Sequence, residues 1–174
     1  MAKKKSTTKR VLKAIGKYQR RKISYICRLK AETASLTIDV NKATLPLGDI
    51  LSSNNSEYLE LGSQYGQVKL RGIGIRVVPC QNTAQGDPTV CLALLQANDE
   101  VTFNNIRTQP HVMTLSPEVA SSIYIPYSGA FNATNATSDI GNIKIAPAIV
   151  GSITSGLLMW QVKISLYLTF KSVL

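Results

Sequence analysis

The sequence is poor in residues that carry catalysis. It contains a single histidine, His111, so a catalytic triad needs that residue as its base, and no G-x-S-x-G turn is present to supply a nucleophile. Glu57 and Glu60 can share a helix face, but no histidine accompanies them, and we interpret them as solvated charge. The segment Arg71 to Ile75 lacks the third glycine of a dinucleotide-binding loop. We therefore predict that the protein is not an enzyme and has no catalytic residues.

Cysteine is also scarce. The three cysteines are Cys27, Cys80 and Cys91. Their number is odd and their spacing is unlike that of a zinc or redox motif, which predicts buried or free thiols. We expect no metal and no cofactor. One alternative stays open, in which Asp87, Asp99 or Glu100 contributes loop oxygens to a calcium ion shared between subunits.

Long uninterrupted apolar runs are absent. The N-terminus has no apolar core followed by a cleavage site, so we expect no secretory signal and synthesis in the cytosol. The most apolar stretch, residues 145–162, is interrupted by polar residues and by Pro147 and Gly151. We predict that the chain has no stable membrane span.

Negative charge is missing from the N-terminus. The first thirty residues carry twelve Lys and Arg and no Asp or Glu, whereas the remaining 144 carry eight basic and ten acidic residues. The net charge of +10 therefore resides in an N-terminal arm, residues 1–30, attached to a nearly neutral domain, residues 31–174. A solvated polycation favours a polyanionic partner, above all nucleic acid, which it contacts at phosphates without base specificity. The predicted nucleic-acid-binding residues are Lys3, Lys4, Lys5, Lys9, Arg10, Lys13, Lys17, Arg20, Arg21, Lys22, Arg28 and Lys30.

Two other interpretations of the arm remain. Val11, Leu12, Ile15 and Tyr18 have helical spacing, so Thr8 to Lys22 can form a cationic amphipathic helix at a membrane surface, although its Gly16 weakens that helix. The arm can also be a plain solubilising tail. We expect it to be disordered or partly helical.

The domain shows the period of β-strands. Even-numbered positions from Leu158 to Phe170 are apolar and the odd ones are mostly polar, which predicts a long strand with one buried face. Thr33 to Val40 alternates in the same way. In Val68 to Pro79 the apolar parity changes at Gly72 and Gly74, which indicates a bulge.

Further strands are predicted at residues 89–96, 111–115, 122–127 and 142–149, and the first of these is apolar on both parities and so central. Helix is limited to short turns within residues 48–62 and 99–106. Seven or eight strands with so little helix predict an all-β antiparallel sandwich or barrel.

A polybasic N-terminus before one apolar β-sandwich resembles the coat (capsid) proteins of small icosahedral viruses. The resemblance covers Ala31 to Leu174 and rests on the charge-poor domain, on the passage from Tyr58 to Pro79 and on the long terminal strand. Circular single-stranded DNA viruses, circovirus-like and nanovirus-like, are most similar, and satellite RNA viruses come second. The arm departs from the circovirus-like pattern, because only four of its twelve basic residues are Arg.

The resemblance implies an eight-stranded antiparallel jelly roll that self-assembles into a T=1 shell of about sixty copies with the arms inside. It implies packaging of a viral nucleic acid, single-stranded DNA, and a location in the virion, with the host nucleus or cytoplasm as the place of assembly. Lys69, Arg71 and Arg76 are then further candidates for the inner surface.

The alternative is a cellular single-strand nucleic-acid-binding or ribosomal-type protein. Such a module needs aromatic stacking platforms, but Trp160 and Phe170 fall on the apolar face of a predicted strand. A ribosomal protein also usually spreads basic charge over its folded part. Both points favour the coat protein.

Overall fold

The fold is built from two antiparallel sheets. A computed structural model describes residues 18–32, 35–38, 44–52, 55–86, 88–96, 98–135, 138, 140–141 and 143–172, with only the backbone described at 35–38 and 52. The strands are β1 (Tyr18–Glu32), β2 (Ser35–Ile38), β3 (Leu45–Pro46), β4 (Gly66–Asn82), β5 (Thr89–Gln96), β6 (Met113–Leu115), β7 (Ser121–Asn132), β8 (Ile143–Val150) and β9 (Leu157–Ser172). The helical elements are α1 (Leu47–Ser52), α2 (Ser56–Tyr65), α3 (Phe103–Arg107) and a 3₁₀ turn at Ala133–Asn135.

The strand order is that of a jelly roll. One sheet has the order β2-β1-β9-β4-β7 and the other β3-β8-β5-β6. Apart from the β5–β6 pair, successive strands from β3 onward lie in opposite sheets, so the chain crosses repeatedly between them. The short β2 adds an edge strand to an otherwise eight-stranded arrangement. The predicted all-β antiparallel jelly roll is therefore confirmed.

The core lies between the sheets and follows the predicted alternation. In β9 the even-numbered side chains from Leu158 to Phe170 are buried, and Trp160 and Phe170 are at most 1% exposed. β5 spans the predicted residues 89–96 and is central, between β8 and β6, with side chains buried on both faces. Short helices lie in both regions where helix was predicted.

The first strand corrects the predicted arm. β1 pairs with β9 along its whole length, from Tyr18 opposite Lys171 to Glu32 opposite Leu157. Residues 18–30, which the charge pattern assigns to the arm, therefore belong to the sheet, and the helix predicted over Thr8 to Lys22 is wrong for residues 18–22. The reason is that the odd positions Ile23, Cys27 and Leu29 are buried while four of the five cations of β1 occupy even positions. Residues 1–17 lie outside the described part of the chain.

The predicted bulge in β4 is confirmed. The register of β4 against both β7 and β9 shifts between Leu70 and Gly72. Leu70 before the bulge and Ile73 after it therefore both point into the core, although they have opposite parity. The extra residue at the shift is Arg71, which is exposed.

The outer faces of the two sheets differ. On the four-stranded sheet, Ala93, Leu95 and Ala146 pack with Ile106 and Phe103 of α3 in a second apolar cluster. The helix thus shields that face from water. On the five-stranded sheet the corresponding face is polar, and it carries the candidate site.

Candidate nucleic-acid interface

The outer face of the five-stranded sheet is cationic. Positions that point away from the core alternate with buried ones along β1, β4 and β9. Among the described residues, the cationic side chains at these outward positions and at the β4 bulge are Arg20, Lys22, Arg28, Lys30, Lys69, Arg71, Arg76, Lys163 and Lys171. The described strands of this face contribute one carboxylate, Glu32, at the end of β1 remote from Arg20. We call this surface the basic face.

Strand register brings the basic face together from distant parts of the chain. Lys22 lies opposite Tyr167, and Arg76 lies directly opposite Lys163. Like charges directly opposite one another on neighbouring strands destabilise a sheet. A bound anion relieves such repulsion, so this arrangement is typical of a surface that holds a polyanion.

Two tyrosines lie in the middle of the basic face. Tyr124 of β7 and Tyr167 of β9 form an edge-to-face pair with ring centroids 5.5 Å apart. The Lys22 ammonium lies 5.5 Å from the centroid of the Tyr167 ring. Tyr124 is 53% exposed, which is unusual for an aromatic residue in the interior of a strand.

Glycines in β4 make room for these rings. A Cβ on Gly72 would collide with the Tyr124 ring, and one on Gly74 would lie 3.3 Å from Cε2 of Tyr167. The Tyr124 hydroxyl donates a hydrogen bond to the Arg71 carbonyl, at 3.4 Å. The two rings therefore lie close to the backbone of β4 because that strand has no side chain beneath them.

Two hollows flank the tyrosine pair. The first, of about 400 Å³, is lined by Arg20, Arg21, Lys22 and Arg71 together with both tyrosines. The second, of about 320 Å³, adds Arg76 and Lys163 to Lys22 and the same two rings. Neither hollow has an Asp or Glu among its lining residues. The pattern is an aromatic pair with cations on both sides.

The structure places the described part of the predicted site on this face, with one exception. Arg20, Lys22, Arg28 and Lys30 point outward from β1. The Arg21 guanidinium instead makes an ion pair with Glu57 of α2, with Nε 3.0 Å from the carboxylate, and only borders the first hollow. The remaining predicted residues, Lys3, Lys4, Lys5, Lys9, Arg10, Lys13 and Lys17, lie outside the described residues.

Sequence reasoning missed the residues that β7 and β9 contribute. Tyr124, Tyr167, Lys163 and Lys171 were not among the predicted binding residues. A signal existed for three of them, because the odd positions of β9 are predicted to be wet and hold both lysines and Tyr167. The position of Tyr124 needed the register of β7 against β4, which no local pattern contains.

The other candidate sites do not assemble. His111 lines a separate hollow of about 770 Å³ near Asp99, Gln109 and Tyr127. Over the described ranges, no group of three or more His, Cys, Asp or Glu is arranged to hold a metal ion. Asp99 accepts a hydrogen bond from the Gln96 backbone amide, at 2.8 Å, and Asp87 lies outside the described residues. Cys27, Cys80 and Cys91 form no disulfide bond.

None of the described helices has both the length and the apolar character needed to cross a bilayer.

The fold is similar to solved structures from viruses. A structure of Mud crab tombus-like virus aligns with a TM-score of 0.60 and 12% identity, covering 89% of this chain and 89% of that chain. One of tobacco necrosis virus aligns with a TM-score of 0.59 and 11% identity, covering 90% and 84%. A 60-mer of the BFDV capsid protein aligns with a TM-score of 0.51 and 10% identity, covering 89% and 94%.

Sequence comparison adds no relative. No protein-family model matches the chain, and no curated protein sequence has significant similarity to it. The likeness is therefore one of fold, and this chain shares its jelly-roll fold with proteins of these viral particles.

Proposed function

We infer that this protein is the capsid protein of a small icosahedral virus. Its copies assemble into a closed shell, a T=1 particle of about sixty subunits, around the viral genome. The genome is held through phosphate contacts without base specificity, and single-stranded DNA is the expected cargo. The protein is not an enzyme, and it resides in the virion after assembly in the host nucleus or cytoplasm.

The observation that carries this proposal is that one jelly-roll fold combines with the basic face, to which the described strands contribute a single carboxylate. Three solved structures of similar fold come from viruses, and one of them is a 60-mer of a capsid protein. The basic face begins at Arg20, so the cations of residues 1–17 precede it directly in the chain. Together they form one continuous source of positive charge.

The amount of charge suits a packaging role. Residues 1–17 carry seven basic and no acidic residues, and the basic face adds nine cations. About sixty copies then supply on the order of a thousand positive charges, enough to neutralise a similar number of phosphates. This scale corresponds to a small genome or genome segment.

A second candidate is a cellular protein that binds single-stranded nucleic acid as a monomer or small oligomer. The exposed Tyr124 on the basic face favours it, since such modules combine a cationic groove with aromatic side chains. This candidate explains the basic face but not the likeness in fold to viral particles.

One experiment separates the two candidates. The full-length protein is expressed, purified by size exclusion and examined by negative-stain electron microscopy, with absorbance read at 260 and 280 nm on the same peak. Uniform closed spheres that contain nucleic acid are expected. A monomer or small oligomer that binds single strands would overturn the capsid proposal in favour of the cellular binder.

A further inference from the structure

Phosphate neutralisation alone explains the cations of the two hollows but not the tyrosine pair between them. We propose that Tyr124 and the flanking hollows form a nucleotide-binding subsite for single-stranded nucleic acid. An unpaired base stacks on the Tyr124 ring, and the phosphates on either side of that base lie in the two hollows. This inference rests on the proposed function, because it names how the basic face holds its polyanion.

Charge lies on both sides of the ring. The first hollow presents Arg20, Lys22 and Arg71, and the second presents Arg76 and Lys163. Alternate residues of a strand lie about 6.6–6.8 Å apart and neighbouring strands about 4.8 Å apart, so these cations surround the ring at short range. A chain that passes over Tyr124 therefore meets a cation before it and after it.

The ring is positioned in advance. The Tyr124 hydroxyl donates a hydrogen bond to the Arg71 carbonyl, and the Tyr124 ring packs edge-to-face against Tyr167. Gly72 allows the ring to lie close to β4. The outer end of the ring lies against Gly72, and Tyr124 is nevertheless 53% exposed, so much of the residue is open to solvent. A ring held in this way loses little conformational entropy when a base stacks on it.

The partner is single-stranded. In a duplex the faces of each base are covered by the neighbouring pairs, and a flat sheet face cannot reach between them. Base–aromatic stacking tolerates any base, because every base has a π-face. The subsite therefore adds a preference for unpaired strands to a surface that otherwise attracts any polyanion.

A purely structural role for the tyrosines explains less. Aromatic rings that cover glycines in a sheet improve packing, which accounts for the contacts with Gly72 and Gly74. It does not account for Arg76 directly opposite Lys163 beside the same rings, a pairing that costs stability. An anion bound in the second hollow offsets that cost.

The test compares three variants of the full-length protein. Tyr124→Leu removes the aromatic surface, Tyr124→Phe keeps the ring without its hydroxyl, and Tyr18→Leu alters another exposed tyrosine of the face that lines neither hollow. Fluorescence anisotropy measures binding to labelled oligothymidylate and oligouridylate of about 20 nucleotides, a length that exceeds one site, and to a matched DNA duplex.

Tyr124→Leu is expected to bind both single strands about 5- to 150-fold more weakly than the wild type, which corresponds to the loss of one stacked base. Duplex binding and the salt dependence are expected to stay unchanged, because no phosphate contact is removed. Tyr124→Phe keeps the stacking surface and loses only the hydrogen bond to the Arg71 carbonyl, so it is expected to bind much more tightly than Tyr124→Leu and close to the wild type. Tyr18→Leu is expected to bind like the wild type. Equal single-strand affinity of Tyr124→Leu and wild type would overturn the subsite.

Photocrosslinking provides a second measurement on the unaltered protein, which decides the matter if Tyr124→Leu does not fold. A single strand with 5-bromodeoxyuridine is irradiated with the wild type, and the adducts are mapped by mass spectrometry. An adduct at Tyr124 is expected, whereas adducts confined to other residues would overturn the subsite.

The outcomes also separate this inference from the proposed function. If particles of the wild type and of Tyr124→Leu contain equal amounts of nucleic acid, and both proteins bind single strands with equal affinity, the capsid proposal stands and the subsite is overturned. If the protein forms no particle but binds single strands through Tyr124, the subsite stands and the capsid proposal is overturned.

Discussion

The Trp160 indole N–H donates a hydrogen bond to the Ser116 carbonyl, at 2.7 Å. Trp160 is on β9 of the five-stranded sheet, and the half-buried Ser116 follows β6 of the four-stranded sheet, so this part-buried bond links the two sheets. Trp160 is 1% exposed, so a smaller side chain at this position would leave a cavity.

Trp160→Phe is expected to lower the free energy of unfolding by about 2–4 kcal/mol. It leaves the Ser116 carbonyl without its donor, which costs about 1–3 kcal/mol, and it adds a small cavity. Urea unfolding followed by circular dichroism measures the change, because the variant lacks the protein's single tryptophan. Tyr18→Phe, on an exposed residue, is the control. Equal midpoints for Trp160→Phe and wild type would contradict the role of the bond.

The effect of N-terminal deletions on folding is expected to change sharply at residue 18, where β1 begins. Removing residues 1–17 should leave a folded protein with less bound nucleic acid, because seven cations are lost and no described strand is touched. Removing residues 1–30 should give unfolded or aggregated protein, because it deletes almost all of β1, with its buried Ile23, Cys27 and Leu29, and exposes the edge of β9. Circular dichroism and the 260/280 nm absorbance ratio are the measurements. A soluble, folded protein that starts at residue 31 would show that β1 is dispensable.

Two glycines are expected to respond differently to alanine. Gly156 has a φ of +91° and its Cβ would collide with the Thr83 backbone, which cannot give way, so Gly156→Ala should cost about 2 kcal/mol or more. At Gly72 the clash is with the outer end of the Tyr124 ring, a side chain that can shift by giving up its hydrogen bond to the Arg71 carbonyl, so the cost should stay at about 1 kcal/mol. Urea midpoints measure both. Similar costs at the two positions would mean that the Tyr124 ring is as fixed as backbone.

Arg76→Gln is expected to move stability and binding in opposite directions. It removes the repulsion between Arg76 and Lys163, which should stabilise the protein by about 0.2–1 kcal/mol at low salt. It should also weaken binding to single strands and reduce the slope of log affinity against log salt by about 0.7, the value of one phosphate contact. Thermal melts and anisotropy titrations at several salt concentrations measure the two effects.

The matched control for this change is Arg107→Gln, an exposed arginine on α3, the helix that covers the four-stranded sheet. It should leave the salt slope unchanged. If both variants lower the slope equally, binding follows overall charge and the basic face has no special part in it.

The strands differ in how far the sequence could predict them. β9 was predicted almost to its ends because strict alternation over its length is the period of a strand with one buried face. β1 has the same alternation at Ile23, Cys27, Leu29 and Ala31, but the cations between them were interpreted as an arm. Lys and Arg are compatible with a strand when they occupy its solvent-exposed face. The alternation in residues 18–32 was overlooked in favour of charge composition, and the arm prediction is wrong there.

The candidate site was predictable only in part, for a similar reason. Basic residues can be recognised one by one, and Lys69, Arg71 and Arg76 were named as further candidates. Their alignment with Arg20, Lys22 and Lys163 depends on the register of β1, β9 and β4, which is a non-local property.

The sequence by itself determined the all-β class, the presence of a bulge near Gly72 and the excess of cations near the N-terminus, because period-two patterning and composition are local. The tertiary structure alone decided which strands are neighbours, and hence that Arg76 lies opposite Lys163 and that Tyr124 lies against Gly72. Strand pairing joins residues far apart in the chain through backbone hydrogen bonds that do not depend on side-chain identity. Local patterns therefore predict which face of a strand is exposed to solvent, and only the assembled sheet determines which exposed residues become neighbours.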